Sequence, residues 1–195
     1  MTSGNLFQMV VVVIVLPPLM ACGYSERSYQ GDGILTDRGW YSGSDRYVLD
    51  LGVSDLTKAG RRSYTMANLP PERLAVGLQL LPRSSTEKLG QDRRLPFNPI
   101  VRLRMASSST VLIEDERLLD DWIISTVGWD SFPAFAYCPG AKDAWNEEPG
   151  TAWGCIFKPK TDERYTLTVE IVRPDPGALP FSIKLLIKGG DGLAS

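Results

Sequence analysis

Two segments late in the chain alternate strictly between apolar and polar residues, and that period restricts what the rest can form. In Tyr165-Thr166-Leu167-Thr168-Val169-Glu170-Ile171, residues Tyr165, Leu167, Val169 and Ile171 share one side. In Phe181-Ser182-Ile183-Lys184-Leu185-Leu186-Ile187-Lys188, residues Phe181, Ile183, Leu185 and Ile187 do the same. Side chains of an extended chain point alternately to opposite faces. A period of two therefore describes a strand with one face on a core and the other in water, as antiparallel sheets require. The connection Pro174-Asp175-Pro176-Gly177-Ala178-Leu179-Pro180 cannot be helical. The two strands therefore form a wide hairpin or bridge two sheets.

Shorter segments repeat the pattern. Tyr47 to Leu51, Leu74 to Leu80, Ile100 to Met105 and Val111 to Glu114 read as strands. Arg102 and Arg104 point to water while Val101, Leu103 and Met105 point inward. Glu114 to Ile124 is open between a short helix, with Leu118, Leu119, Trp122 and Ile123 on one face, and a polar turn followed by a strand. Several short strands with Pro- and Gly-rich connections predict a mainly β chain, an antiparallel β-sandwich.

One stretch does not read as regular structure. Ser125 to Phe157 holds Pro133, Pro139 and Pro149, four glycines, and the rings of Trp129, Phe132, Phe135, Tyr137, Trp145, Trp153 and Phe157. Structureless loops this long are uncommon and usually functional or disordered, and aromatic content argues against disorder. These rings either cap one end of the core or stand out as a contact surface, for which Trp129, Trp145, Trp153 and Tyr137 are the candidates. The acidic residues Asp143, Glu147 and Glu148 in the same lobe read as solubilising.

Little catalytic chemistry is on offer. The chain has no histidine, which removes His-based triads, His general bases and most zinc sites. Ser85-Thr86-Glu87-Lys88 matches S-x-x-K, but the companion S-D-N and K-T-G elements are absent. Glu114, Asp115, Glu116, Asp120 and Asp121 form an acidic cluster, interrupted by Arg117, that reads as a solvated turn. No P-loop, dinucleotide fingerprint or metal-ligand set occurs, so no catalytic residue, cofactor or metal is expected. The net charge is −2 with basic residues scattered, so nucleic-acid binding has no electrostatic support.

The N-terminus carries an address. An apolar run, Val10 to Leu16, is stopped by Pro17-Pro18 and followed by Leu19-Met20-Ala21-Cys22. The run is shorter than the roughly 20 residues a membrane-spanning helix needs. It is similar to a bacterial lipoprotein signal, whose cysteine receives lipid and becomes the first mature residue. Residues 1–8 depart from that pattern in having no Lys or Arg. Together with Phe157-Lys158-Pro159-Lys160 and the strand Tyr165 to Val169, this chain resembles small bacterial lipoproteins built on a β-sandwich. The resemblance implies lipid on Cys22 and an immunoglobulin-like or transthyretin-like body outside the cytoplasm. Gly23, where an Asp would retain the protein at the inner membrane, implies the outer membrane.

The implied organisation is a signal peptide over 1–21, a flexible tether over 22–44, a sandwich domain over 45–190 and a frayed tail over 191–195. With Cys22 acylated, Cys138 and Cys155 remain, and export to an oxidising compartment pairs them. That disulfide would staple the long loop and contribute about 3 kcal/mol in the chain-entropy model. Some lipoproteins of this size are immunity proteins that hold type VI secretion toxins at the membrane, and others are assembly lipoproteins of secretion machines. The expectation is a membrane-tethered, non-catalytic module with a protein partner in the cell envelope. The alternative is a carbohydrate- or cell-wall-binding lipoprotein, since aromatic platforms suit sugars.

Overall fold

The computed structural model describes residues 28–39, 45–82, 95, 97–108, 110–128, 131–138, 155–179 and 181–190; for 123–128, 131–133 and 137 it describes the backbone alone. The strands in chain order are β1 (Gln30–Gly31), β2 (Ile34–Asp37), β3 (Tyr47–Val53), β4 (Gly60–Ala67), β5 (Leu74–Pro82), β6 (Ile100–Ser107), β7 (Val111–Leu118), β8 (Ile123–Gly128), β9 (Ser131–Tyr137), β10 (Ile156–Phe157), β11 (Arg164–Arg173) and β12 (Phe181–Gly189). One-turn 3-10 helices occupy Leu119–Asp121 and Pro176–Ala178.

The strands make two antiparallel sheets. The first has the order β1-β4-β11-β6-β7, and the second β2-β3-β12-β5-β9-β8 with β10 also on β5. The two strongly alternating segments are β11 and β12, so of the two readings the bridge holds: the chain crosses from the first sheet to the second through the Pro-rich connection. Each sits in the interior of its sheet, where one face is fully covered. Tyr165, Leu167, Val169 and Ile171 of β11 join Phe181, Ile183, Leu185 and Ile187 of β12 in one buried cluster, with Val76, Leu78, Leu103 and Met105. The outer face of the first sheet is polar. Arg61, Glu170, Arg102 and Glu116 stand in register across β4, β11, β6 and β7. The Arg102 guanidinium bonds both Glu116 and Glu170, and these carboxylates hold it above its ordinary pKa.

Tyr165 is buried, and its hydroxyl accepts the Lys160 backbone N–H at 2.8 Å and donates to Glu163 Oε2 at 2.9 Å. That fixes the turn entering β11. Burial pushes its phenol pKa up.

The stretch 22–44, read as a tether, contributes β1 and β2 to the two sheets. Asp32, at the turn between them, accepts the Thr65 N–H at 2.6 Å and donates its own N–H to Thr65 at 2.8 Å, which docks the segment on β4. Glu114 to Ile124 resolves into the end of β7, one 3-10 turn and the start of β8. The stretch Ser125 to Phe157, read as irregular, contains most of a β8–β9 hairpin, and β10. Pro133 is tolerated inside β9 because it falls where the β8 register shifts, beyond the last β5 pair at Ala134↔Leu80, so no ladder bond is lost there.

Candidate functional site

The site is built where β9 stops and β10 begins. Both strands run antiparallel to β5 along the same edge. β9 pairs with Gly77 to Leu80 and β10 with Leu74 and Ala75. They are two halves of one lane, interrupted opposite Val76. The Cys138 N–H donates to the Val76 carbonyl at 3.4 Å, the Val76 N–H to the Cys155 carbonyl at 3.3 Å, and the Cys155 N–H to the Cys138 carbonyl at 3.0 Å. Cys138 and Cys155 are joined as a disulfide, with Cα atoms 5.3 Å apart, and both are 1% exposed. The chain therefore leaves the sheet at Cys138 and returns beside its point of departure. The excursion between the two cysteines, residues 139–154, lies outside the described residues; its neck is closed by backbone and sulfur together.

The other sheet supplies a charged neighbour. The period of β7 turns Ile113, Asp115 and Arg117 inward, and Asp115 Oδ2 lies 3.5 Å from Cys138 Sγ. Arg117, two residues on and so on the same face, binds Asp115 Oδ1 through Nη2 at 2.7 Å and Nε at 2.8 Å. A carboxylate facing the core without a partner would carry a large desolvation penalty, and Arg117 offsets it. Asp115, Cys138 and Cys155 also bring three potential metal-ligand atoms within 4.8 Å. Metals bind thiolates, and here both sulfurs are consumed in the disulfide.

On its outer side the clasp borders a second apolar cluster, Val48, Ala75, Phe135 and Leu186, against which Ile156 packs. Lys188 Nζ sits 4.1 Å above the Phe135 ring and pairs with Asp45 at 2.6 Å. The apolar patch beside the neck is thus covered by a ring and an ion pair.

Of the residues singled out in the sequence, Cys138 and Cys155 are brought together. Tyr137 lies on β9, in register with Gly77 and Ile123. Cys22, Trp129, Trp145 and Trp153, with Asp143, Glu147, Glu148 and Ser85 to Lys88, lie outside the described residues. The acidic cluster is a strand followed by one 3-10 turn rather than a solvated turn. Glu114 and Glu116 face outward toward Arg104 and Arg102, and Asp120 accepts from Asn98 Nδ2 at 2.9 Å. These carboxylates are spoken for by basic or amide partners and do not converge on a common point, which leaves them without the geometry of an acid–base pair. Asp115 and Arg117, read in the sequence as parts of a solvated acidic turn, and Phe135, read as one ring of the long stretch, are the site residues whose place beside the disulfide the sequence did not show. The signal for Asp115 and Arg117 was their spacing of two on an alternating strand.

Comparison of the chain with family models, with curated proteins and with solved structures finds no match.

Proposed function

We propose that this chain is a lipid-anchored, non-catalytic lipoprotein of the cell envelope that holds a protein partner through the excursion 139–154. Lipid on Cys22 tethers it to the outer membrane, and the sandwich serves as a rigid base. The observation that carries the reading is the closed neck. A segment whose ends are fixed at Cys138 and Cys155 has less freedom to lose on binding, and its sequence holds Trp145 and Trp153. Aromatic side chains add contact area with few rotatable bonds. The partner is a secretion toxin held in check or a component of a secretion apparatus.

The test is capture from the host envelope with the full chain and with a variant carrying Trp145→Ala and Trp153→Ala. The wild type is expected to retain one envelope protein that the variant loses. Undiminished capture by the variant sinks the assignment to the excursion. Sedimentation with purified peptidoglycan, without any captured protein, transfers the role to wall binding. Labelled palmitate is expected on the wild type and not on Cys22→Ser; absence of label from both removes the anchor.

A further inference from the structure

A second site lies away from the clasp, where the chain crosses from β3 to β4 and so from one sheet to the other. Residues 54–59 make the crossing. Ser54 N–H donates to the Ile183 carbonyl at 2.7 Å, and Leu56, 1% exposed, plugs the core while its carbonyl accepts the Asp175 N–H at 3.0 Å. The crossing is therefore anchored to β12 and to the β11–β12 connection, and the space beside it has fixed walls.

That space exists because β4 breaks its own pattern. Tyr64 and Met66 are buried, which makes positions 60, 62, 64 and 66 the inward row. The first two are Gly60 and Arg62. They stand opposite Ile171 and Val169 of β11, both inward and apolar. A Cβ built on Gly60 meets nothing within 4 Å, so the place of a core side chain is open. Arg62 is exposed, and its Nη1 donates to the Val53 carbonyl at 2.9 Å, which holds the guanidinium at the mouth. The result is a cleft of about 350 Å³, with Tyr64, Val169 and Ile171 as an apolar floor and Lys58 and Arg62 around the opening.

The charges at the opening are unbalanced. Asp55 is the acidic residue lining the cleft, and its carboxylate is held by Thr57 and by Lys58 at 3.6 Å. Those contacts keep its pKa below the ordinary carboxylate value, the Thr57 hydroxyl foremost. Arg61, on the outward row beside Glu170, faces away from the cleft. The Arg62 guanidinium therefore stands at the opening with no carboxylate bonded to it among the described residues. A planar guanidinium matches a carboxylate in paired N–H···O geometry. The volume is at the small end of ligand sites, which range over about 300–1,000 Å³.

We propose that this cleft binds a small amphipathic carboxylate, with the charged head on Arg62 beside Lys58 and a short apolar body on Tyr64, Val169 and Ile171. The site is independent of the excursion 139–154 and does not rest on the function proposed above.

The probe is sodium octanoate, titrated into the full chain with methyl-labelled Val and Ile and followed by NMR. Saturable shifts of the Val169 and Ile171 methyls are expected, with neutral octanamide binding at least tenfold more weakly. Gly60→Leu should abolish the shifts by filling the cleft, and its spectrum elsewhere should match wild type because the new Cβ has room. Arg62→Gln should weaken octanoate at least tenfold and leave octanamide unchanged. This surface change carries the test should Gly60→Leu fail to fold. Absence of saturable shifts, equal binding of octanamide, or undiminished binding by Arg62→Gln overturns the proposal.

Discussion

Gly77 shows how closely one residue can be specified. It lies on β5 beneath the Phe135 ring, and a Cβ there would stand 2.4 Å from Phe135 Cε1 and 2.6 Å from the Ala136 carbonyl oxygen. The ring can shift, but the carbonyl belongs to the β5–β9 ladder and cannot move without breaking it. Gly77→Ala is therefore expected to lower the unfolding free energy by about 1–3 kcal/mol, read from urea midpoints. Gly60→Ala, with no atom within 4 Å of the new methyl, is expected to leave the midpoint unchanged or slightly higher. Equal losses at the two positions would show that crowding at Gly77 is not the cause. The two glycines look alike in the sequence, and what separates them is a contact from a strand more than fifty residues away.

Among the elements, β9 and β10 depend on each other through the sulfur bridge. Replacing Cys138 and Cys155 together by Ser is expected to cost about 3 kcal/mol, the entropy of an open loop in the unfolded chain. The amides of Val76 and Cys155 should lose exchange protection while those of Leu167 and Val169 keep theirs. Identical urea midpoints with and without a reductant would remove the clasp from the account. The pairing was readable before any coordinates, because the resemblance assigned Cys22 elsewhere and export implies oxidation. The neighbour Asp115 was not readable, since it depends on which strand of the opposite sheet faces the clasp. Elements were legible in proportion to their burial. β11 and β12, interior in their sheets, alternate from Tyr165 to Ile171 and from Phe181 to Leu185. β4 was missed because its inward row is apolar only at Tyr64 and Met66. β9 was hidden by Pro133, and β1 and β2 by their shortness and by the Gly31-Asp32-Gly33 turn between them.

For the molecule as a whole, acid is the condition to which the fold should respond first. Asp175 is held below the ordinary carboxylate range by the N–H of Asn98, at 2.7 Å, and of Gly177, at 2.8 Å. Hydrogen bonds from Arg46 do the same for Asp37, and hydrogen bonds from Ser107 and Tyr165 for Glu163. A carboxylate with a depressed folded pKa stabilises the protein fully above its unfolded value, near 4, and loses that contribution as the pH falls through the folded value. Urea midpoints should be level from about pH 7 to 5 and fall below about pH 4, with a shallower fall in Asp175→Asn. A midpoint at pH 3 equal to that at pH 7 would contradict this. A different consequence follows from the order of the strands. The two that join each sheet, β11 and β12, are the last of the twelve strands among the described residues. Before they emerge from the ribosome, β1-β4 cannot meet β6-β7, and β2-β3 cannot meet β5-β9-β8. The growing polypeptide thus holds only unjoined fragments of each layer, and its long-range contacts form late and slowly. A chain built in this order keeps its two layers open until β11 and β12 have been made.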